Sequence, residues 1–371
     1  MAIDRAEARR GIYWIGKLLR HPPVIGRADE SSNLKRVRRL ARPADSVCGI
    51  GSFFPYSSEM SAPLDFLRIL AERLRLAGIR FAITSGMACV HYGLQQTTKD
   101  SDWVILPEDF IRFRELLADL EREPRWRVSY RPIFGAPLES SFMMHGWTSH
   151  LLITEPDGSE QKVDLFGKPP RVRELTNDPD DPDFASREVV AQMKKTDRPR
   201  DWPMVDSLGW QSVTRSKIEA MVHLQDAVKL FSVWTQAEEV QRNTAKARRP
   251  LLGLLATDSD ADRLDGFLRI ERLIWECVNN ERYSIYARAW KDFYRAWQKQ
   301  ADFVWPLEAP FAQQHEWVKS AARRLNLPPD PLGDVGREDI LRKALARAKV
   351  KGMTSLENLS LVQPPLTELL P

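Results

Sequence analysis

The stretch Ile83-Thr84-Ser85-Gly86-Met87-Ala88 decides the fold that we predict, because it places a small-residue turn between an apolar strand and a helix. The strand is expected over residues 80–83 and the helix over residues 87–94. Gly86 lets a ligand approach the backbone closely, and the free N–H groups that open a helix attract anions. The turn is therefore a candidate phosphate site.

Three carboxylates lie on strands predicted after this turn. Asp100 and Asp102 stand at the start of the apolar run Trp103-Val104-Ile105-Leu106, and residues i and i+2 of a strand point to the same face. Asp164 lies in the alternating segment Gln161-Lys162-Val163-Asp164-Leu165-Phe166. Adjacent carboxylates offer Mg²⁺ hard oxygen ligands, while substrate phosphates complete the octahedron. A third carboxylate on a neighbouring strand can hold the attacking hydroxyl or a second ion.

The order of the predicted elements indicates an α+β fold. The turn Glu155-Pro156-Asp157-Gly158-Ser159 predicts a hairpin that places Asp164 on the returning strand, so we expect a mixed sheet with flanking helices. Strand signals stop after Val205, and the later segments favour helix: residues 212–234, 262–279, 285–303, 313–325 and 337–350. We predict a basic N-terminal extension over residues 1–60, a core over 61–208 and a helical C-terminal domain over 209–371.

The core resembles the nucleotidyltransferase superfamily that includes DNA polymerase beta, and most of all the minimal bacterial nucleotidyltransferases that are toxins of abortive-infection toxin–antitoxin systems. Their pattern is a Gly-Gly or Gly-Ser turn, an alanine-containing helix ending in His-x-Gly, and Asp-x-Asp. The matching residues are Ser85-Gly86, Ala88, His91-Tyr92-Gly93, Asp100-Ser101-Asp102 and, as the third acid, Asp164. Met193-Lys194 and Arg198-Pro199-Arg200-Asp201 are similar to a later family element whose lysine approaches the triphosphate. The resemblance covers roughly residues 64–208.

Two departures from the family pattern stand close to the carboxylates. Ser85 replaces the commoner first glycine, and Ser101 replaces an apolar residue between the two aspartates. Neither departure removes a carboxylate.

The resemblance implies a nucleotidyltransferase core with Mg²⁺ or Mn²⁺ as cofactor, an enzyme that moves a nucleoside monophosphate from an NTP to a hydroxyl acceptor. Asp100, Asp102 and Asp164 would be the catalytic and metal-binding residues, and the nucleotide-binding residues would be Ser85, Gly86 and Lys194. The implied partners are an NTP, an RNA acceptor such as tRNA, and an antitoxin protein.

Three other interpretations stay open. A catalytically degenerate nucleotidyltransferase fold would bind nucleotides or partners without turnover. A nucleic-acid-binding protein would use basic clusters at residues 35–39, 246–249 and 337–351, although an arginine-rich run is more often a solvated face. In the third interpretation, the three carboxylates are unrelated surface groups.

Composition excludes several other classes. The chain has 371 residues and 43% apolar content, enough for two domains or one enlarged one. Its charged N-terminus and lack of a long apolar run predict a cytoplasmic protein without membrane contact. Three distant cysteines, Cys48, Cys89 and Cys277, argue against a disulfide framework and lack zinc-ligand spacing.

Overall fold

A five-stranded mixed sheet holds the three carboxylates and organises the N-terminal half of the described chain. The computed structural model describes residues 61–371, except 124–125, 132, 257–259, 302, 304 and 306–307. The predicted extension over residues 1–60 lies outside the described residues. Residues 62–371 form one compact unit.

The strand order explains why the sheet is mixed. Along the sheet the order is β1-β2-β5-β4-β3, and β2 runs parallel to β5 while every other neighbouring pair is antiparallel. The strands are β1 (Phe81–Thr84), β2 (Asp100–Ile105), β3 (Arg127–Tyr130), β4 (Thr148–Thr154) and β5 (Glu160–Phe166). The predicted hairpin is confirmed, since β4 and β5 pair directly and the Glu155 N–H donates to the Ser159 carbonyl at 2.9 Å. The α+β prediction is confirmed with it.

Five helices connect or cover these strands: α1 (Ser61–Leu76), α2 (Ser85–His91), α3 (Phe110–Leu120), α4 (Ser140–Met143) and α5 (Arg187–Met193). Helix α1 ends where Gly78 takes a left-handed conformation at φ 64° and the Ile79 N–H returns to the Leu74 carbonyl at 2.9 Å. Helix α2 differs from the prediction, because it begins at Ser85 and ends at His91.

The region after β5 is helical beyond α5, as predicted from the loss of strand signals. Its helices are α6 (Trp202–Ser212), α7 (Lys217–His223), α8 (Ala227–Gln236), α9 (Glu239–Arg248), α10 (Ala261–Gln298), α11 (Phe311–Arg324), α12 (Pro331–Val335), α13 (Arg337–Gly352), α14 (Leu356–Val362) and α15 (Leu366–Leu369). The predicted domain boundary after residue 208 falls inside α6. None of the helices among the described residues is long and apolar enough to cross a membrane.

Helix α10 is the longest element, and α8, α12, α13 and α14 pack along it. We expected two helices here, over residues 262–279 and 285–303, but α10 runs through residues 280–284 without a break. No glycine or proline interrupts that stretch, so the backbone has no local reason to leave the helix.

A buried ion pair joins α9, α10 and the end of α7. The Arg249 guanidinium donates to both Glu271 carboxylate oxygens, at 3.0 Å from Nε and 2.6 Å from Nη2. Its Nη1 donates to the carbonyls of Met221 and Leu224 at 2.8 and 2.7 Å. Arg249 belongs to the predicted basic cluster at 246–249, and its neighbour Arg248 is bound by two carboxylates. Half of that cluster is therefore structural and does not form a free basic surface.

We expect Glu271→Gln to lower the free energy of unfolding by about 3–5 kcal/mol, because it leaves the buried Arg249 guanidinium without a counter-charge. Asp119→Asn is the matched control, since the Asp119–Arg122 pair is 62% and 80% exposed on its two side chains. The control should cost less than about 1 kcal/mol. Urea unfolding of both variants measures the difference. Equal losses would contradict the structural role of the buried pair.

Candidate active site

Pairing between β2 and β5 brings the predicted carboxylates together. Asp102 is the direct partner of Asp164, and Asp100 is the partner of Lys162. Because side chains of paired residues point to the same face, Asp100, Asp102 and Asp164 share one face of the sheet. Neighbouring strands lie about 4.8 Å apart, so Asp102 and Asp164 are adjacent.

Asp102 has an unusual protonation equilibrium. Burial and the neighbouring charge of Asp164 raise the pKa of Asp102 to about 7. Lys194 and hydrogen bonds from the Ser85 hydroxyl and the Gly86 N–H act in the opposite direction, but they do not cancel the first two effects. A bound cation would relieve the part of this shift that comes from Asp164.

The Ser85-Gly86 turn holds Asp102 directly. Ser85 has a left-handed backbone at φ 51°, a conformation that glycine adopts at little cost. A hydrogen bond from the Gly86 N–H is among the influences that lower the pKa of Asp102, so the turn acts on that carboxylate. Its predicted contact with the β- and γ-phosphates stays a prediction.

Gly86 is also required by packing. A Cβ atom at residue 86 would lie 2.5 Å from Thr98 Oγ1 and 3.1 Å from Thr98 Cβ. The Gln95 side-chain amide donates to the Gly86 carbonyl at 2.8 Å. The loop that leads into β2 is therefore fastened onto the turn.

Lys194 approaches Asp102 from the end of α5. Its side chain is buried, and Nζ lies 3.6 Å from Asp201 Oδ1. Asp201 is held in turn by the Thr196 hydroxyl at 2.6 Å. The two sequence motifs that contain Lys194 and Asp201 thus form one unit beside the sheet. All three predicted nucleotide-binding residues, Ser85, Gly86 and Lys194, interact with Asp102.

Two residues at this face were missed by sequence reasoning. His150 on β4 is the cross-strand partner of Asp164, and its Nδ1 lies 2.6 Å from Asp164 Oδ1. Arg131, which follows β3, donates to the same oxygen at 3.2 Å. The available signal was the polar His150 on a strand predicted to pair with the Asp164 strand. The sequence around Arg131 has no local pattern that predicts its contact with Asp164, because that contact depends on how β3 pairs with β4.

The oxygen donors of Asp100, Asp102 and Asp164 can be compared with the ligands that Mg²⁺ or Mn²⁺ requires. Within the described ranges, no group of three or more His, Cys, Asp or Glu side chains forms a ready metal site. Mg²⁺ commonly keeps several waters and uses one or two carboxylates together with substrate phosphates. Asp100 and Asp102 fit that requirement in donor type. Asp164 is already engaged by His150 and Arg131, so its role as a ligand stays a prediction.

No protein-family model matches this chain, and no curated protein is similar to it. The resemblance to nucleotidyltransferases stays a prediction from the motif residues.

The close packing at Gly86 predicts a double-mutant coupling. Gly86→Ala should destabilise the protein by about 1–3 kcal/mol, because the added methyl group overlaps Thr98. The same substitution should cost less in a Thr98→Ala background, where Oγ1 is absent. Urea unfolding of the two single variants and the double variant gives the coupling energy. Strictly additive effects would show that Thr98 does not constrain this turn.

The raised pKa of Asp102 predicts a pH-dependent stability in metal-free buffer. The folded state binds more protons than the unfolded state between the ordinary pKa of 3.8 and about 7, so wild-type stability falls as pH rises across that window. Asp102→Asn should remove this fall and stabilise the protein at pH 8 by about 1–3 kcal/mol, with little effect at pH 4. Melting curves with EDTA at both pH values measure it. Equal stability of the two proteins at pH 8 would mean that the folded state does not raise the pKa of Asp102.

Proposed function

We propose that this chain is a nucleotidyltransferase that uses Mg²⁺ or Mn²⁺ to move a nucleoside monophosphate from an NTP to a hydroxyl acceptor. The observation that carries the proposal is the pairing of Asp102 with Asp164 across β2 and β5, with Ser85, Gly86 and Lys194 gathered on Asp102. Unrelated surface carboxylates would have no reason to lie side by side on one face of the sheet.

Each residue has a distinct task in the proposed reaction. Asp100 and Asp102 would hold the cation, which when bound neutralises charge on the triphosphate. Lys194 adds a positive charge beside Asp102 for the phosphates. The Ser85-Gly86 turn keeps Asp102 in place. Asp164, on the neighbouring strand β5, orients the acceptor hydroxyl.

The chemical step is phosphoryl transfer. The acceptor oxygen forms a bond to the α-phosphorus, the bond from that phosphorus to the pyrophosphate oxygen breaks, and the hydroxyl proton leaves to solvent. There is no change of oxidation state. Catalysis of this step depends mainly on positioning and on stabilisation of negative charge. The bound cation and Lys194 would stabilise that charge, and the carboxylates would position the cation.

The acceptor is proposed to be RNA, with an antitoxin protein as a further partner, both on the strength of the family resemblance. The predicted basic cluster at 337–351 supplies part of a suitable surface, since Arg342 and Lys343 are exposed on α13. Two of these basic residues already have a carboxylate partner, because Arg342 lies 2.7 Å from Asp339 and Arg347 lies 2.7 Å from Glu281 of α10. Only some of these cations are free to contact phosphates.

A second candidate is a catalytically degenerate protein that binds nucleotide without transfer. The observation that favours it is the engagement of Asp164 by His150 and Arg131, which already compensates the third carboxylate. The two candidates differ in turnover and not in nucleotide binding.

The test is to incubate the protein with each α-labelled NTP, Mg²⁺ and separate cellular fractions of RNA, protein and small molecules. We expect label to enter the RNA fraction, and Asp102→Asn to lower the transfer rate at least 100-fold because it removes a cation ligand. Asp119→Asn, a change of an exposed carboxylate on α3, should keep the wild-type rate. Nucleotide binding without labelling of any fraction would favour the degenerate protein. An Asp102→Asn protein that keeps both nucleotide binding and transfer would contradict both candidates.

A further inference from the structure

An aromatic stripe runs along helix α10 beside the proposed active site. It consists of Tyr283, Trp290 and Tyr294 of α10 together with Phe134, which follows β3. At about 100° per residue, the three α10 residues lie within about 40° of one another around the helix and therefore share one face. The Phe134 ring centroid lies 5.5 Å from that of Tyr283 and 6.2 Å from that of Trp290. The rings of Trp290 and Tyr294 stack with centroids 4.9 Å apart and planes 10° apart.

The stripe differs from the other aromatic residues at this end of α10. Phe293 and Trp297 are only 5% and 4% exposed, so their rings belong to the core. Tyr283 is 55% exposed, and Trp290 and Tyr294 are half-buried. A continuous row of aromatic rings that stays partly exposed is typical of a binding surface.

The stripe also reaches the proposed active site. Trp290 and Tyr294 line a small cleft together with Arg131 and His150. Arg131 and His150 contact the same oxygen of Asp164, at 3.2 and 2.6 Å. The enclosed part of the cleft measures about 20 Å³, which is room for about one water. An aromatic ligand would therefore lie along the partly exposed rings and not inside the cleft.

Positive charge lies next to the stripe. Arg288, Lys291 and Arg295 lie roughly 80–140° from Tyr283 around α10, on the adjoining face of the helix. In the described ranges, none of these three cations has a carboxylate oxygen within 4.0 Å. Asp292, the acidic residue among them, lies about 180° from Tyr283 and so points away from the stripe. Aromatic rings beside a row of cations are the combination that binds single-stranded nucleic acid, since bases stack on the rings and phosphates contact the cations.

We propose that the aromatic stripe stacks the bases of a single-stranded RNA acceptor. This inference rests on the proposed function, because it makes the stripe the acceptor subsite of the same reaction. The base of the terminal nucleotide stacks at Trp290 and Tyr294, beside the cleft, and its ribose hydroxyl is directed towards Asp164. From Tyr294 to Tyr283 the helix rises about 16 Å, which is long enough for about four stacked nucleotides.

The test is fluorescence anisotropy of octa-adenylate, a single-stranded RNA labelled with fluorescein at its 5′ end, titrated with the full chain at constant ionic strength. We expect saturable binding that Tyr283→Ala and Trp290→Ala each weaken at least fivefold, because each variant lacks one stacking ring. Tyr283→Phe keeps the ring and should keep the affinity within about twofold. An octamer of abasic ribose phosphates carries the same charge without bases, and it should bind at least fivefold more weakly than octa-adenylate.

Three controls separate the stripe from the metal site and from loss of folding. Trp210→Ala is the matched control, because Trp210 is a 48% exposed tryptophan of α6 that is not part of the stripe, and it should leave the octamer affinity unchanged. Asp102→Asn should bind the octamer as the wild-type protein does, and Tyr283→Ala should keep the wild-type affinity for an NTP analogue. Circular dichroism and melting curves verify that each variant is folded. Tyr283→Ala tests the stripe even if Trp290→Ala unfolds, since the Tyr283 side chain is mostly exposed.

The outcomes distinguish this subsite from the proposed function. Octamer binding that depends on the stripe, without transfer of label from any NTP, would support the stacking surface and contradict nucleotidyl transfer. Transfer of label with unchanged octamer affinity and unchanged acceptor KM in Tyr283→Ala and Trp290→Ala would overturn the stacking surface alone. Absence of octamer binding by the wild-type protein would overturn it too, and so would equal affinity for the abasic octamer. Binding of a proline-rich peptide by a stripe that does not bind the octamer would assign the stripe to a protein partner and overturn the proposal.

Discussion

The parallel pairing of β2 with β5 is the constraint on which the rest of the site depends. It places Asp102 beside Asp164 on one face of the sheet, and two carboxylates in such positions repel each other. The surrounding sequence compensates each of them separately. Ser85, Gly86 and Lys194 act on Asp102, whereas His150 and Arg131 bind Asp164. Elements from both ends of the sheet therefore converge on the same pair of residues.

The positive charges around this pair have defined anionic partners. Lys194 acts on Asp102 and its Nζ lies 3.6 Å from Asp201 Oδ1, and Arg131 Nη1 lies 3.2 Å from Asp164 Oδ1. Arg171 donates to the last carbonyls of α5, directly before Lys194.

The sequence was sufficient for the parts of the structure that follow from local periodicity. The alternation around Asp100 and Asp102, the turn at residues 155–159 and the Val-Asp-Leu of β5 predicted a mixed sheet with the carboxylates on one face, and the structure has both features. The chemistry assigned to that face stays a prediction. The parts that were missed depend on contacts between distant segments. His150 and Arg131 reach Asp164 through strand pairing, Thr98 packs on Gly86 across a loop, and Arg249 is buried by α7 and α10. The two helices expected over residues 262–279 and 285–303 form the single helix α10, since no residue between them breaks a helix.

The central claim is that the repelling carboxylates form a cation site that is completed by nucleotide. The most direct measurement is Mn²⁺ binding by electron paramagnetic resonance, with and without a non-hydrolysable NTP analogue. We predict that the analogue tightens Mn²⁺ binding at least tenfold in the wild-type protein and in Asp119→Asn, and that Asp102→Asn loses this effect. Equal Mn²⁺ binding by the wild-type and Asp102→Asn proteins in the presence of the analogue would contradict the account.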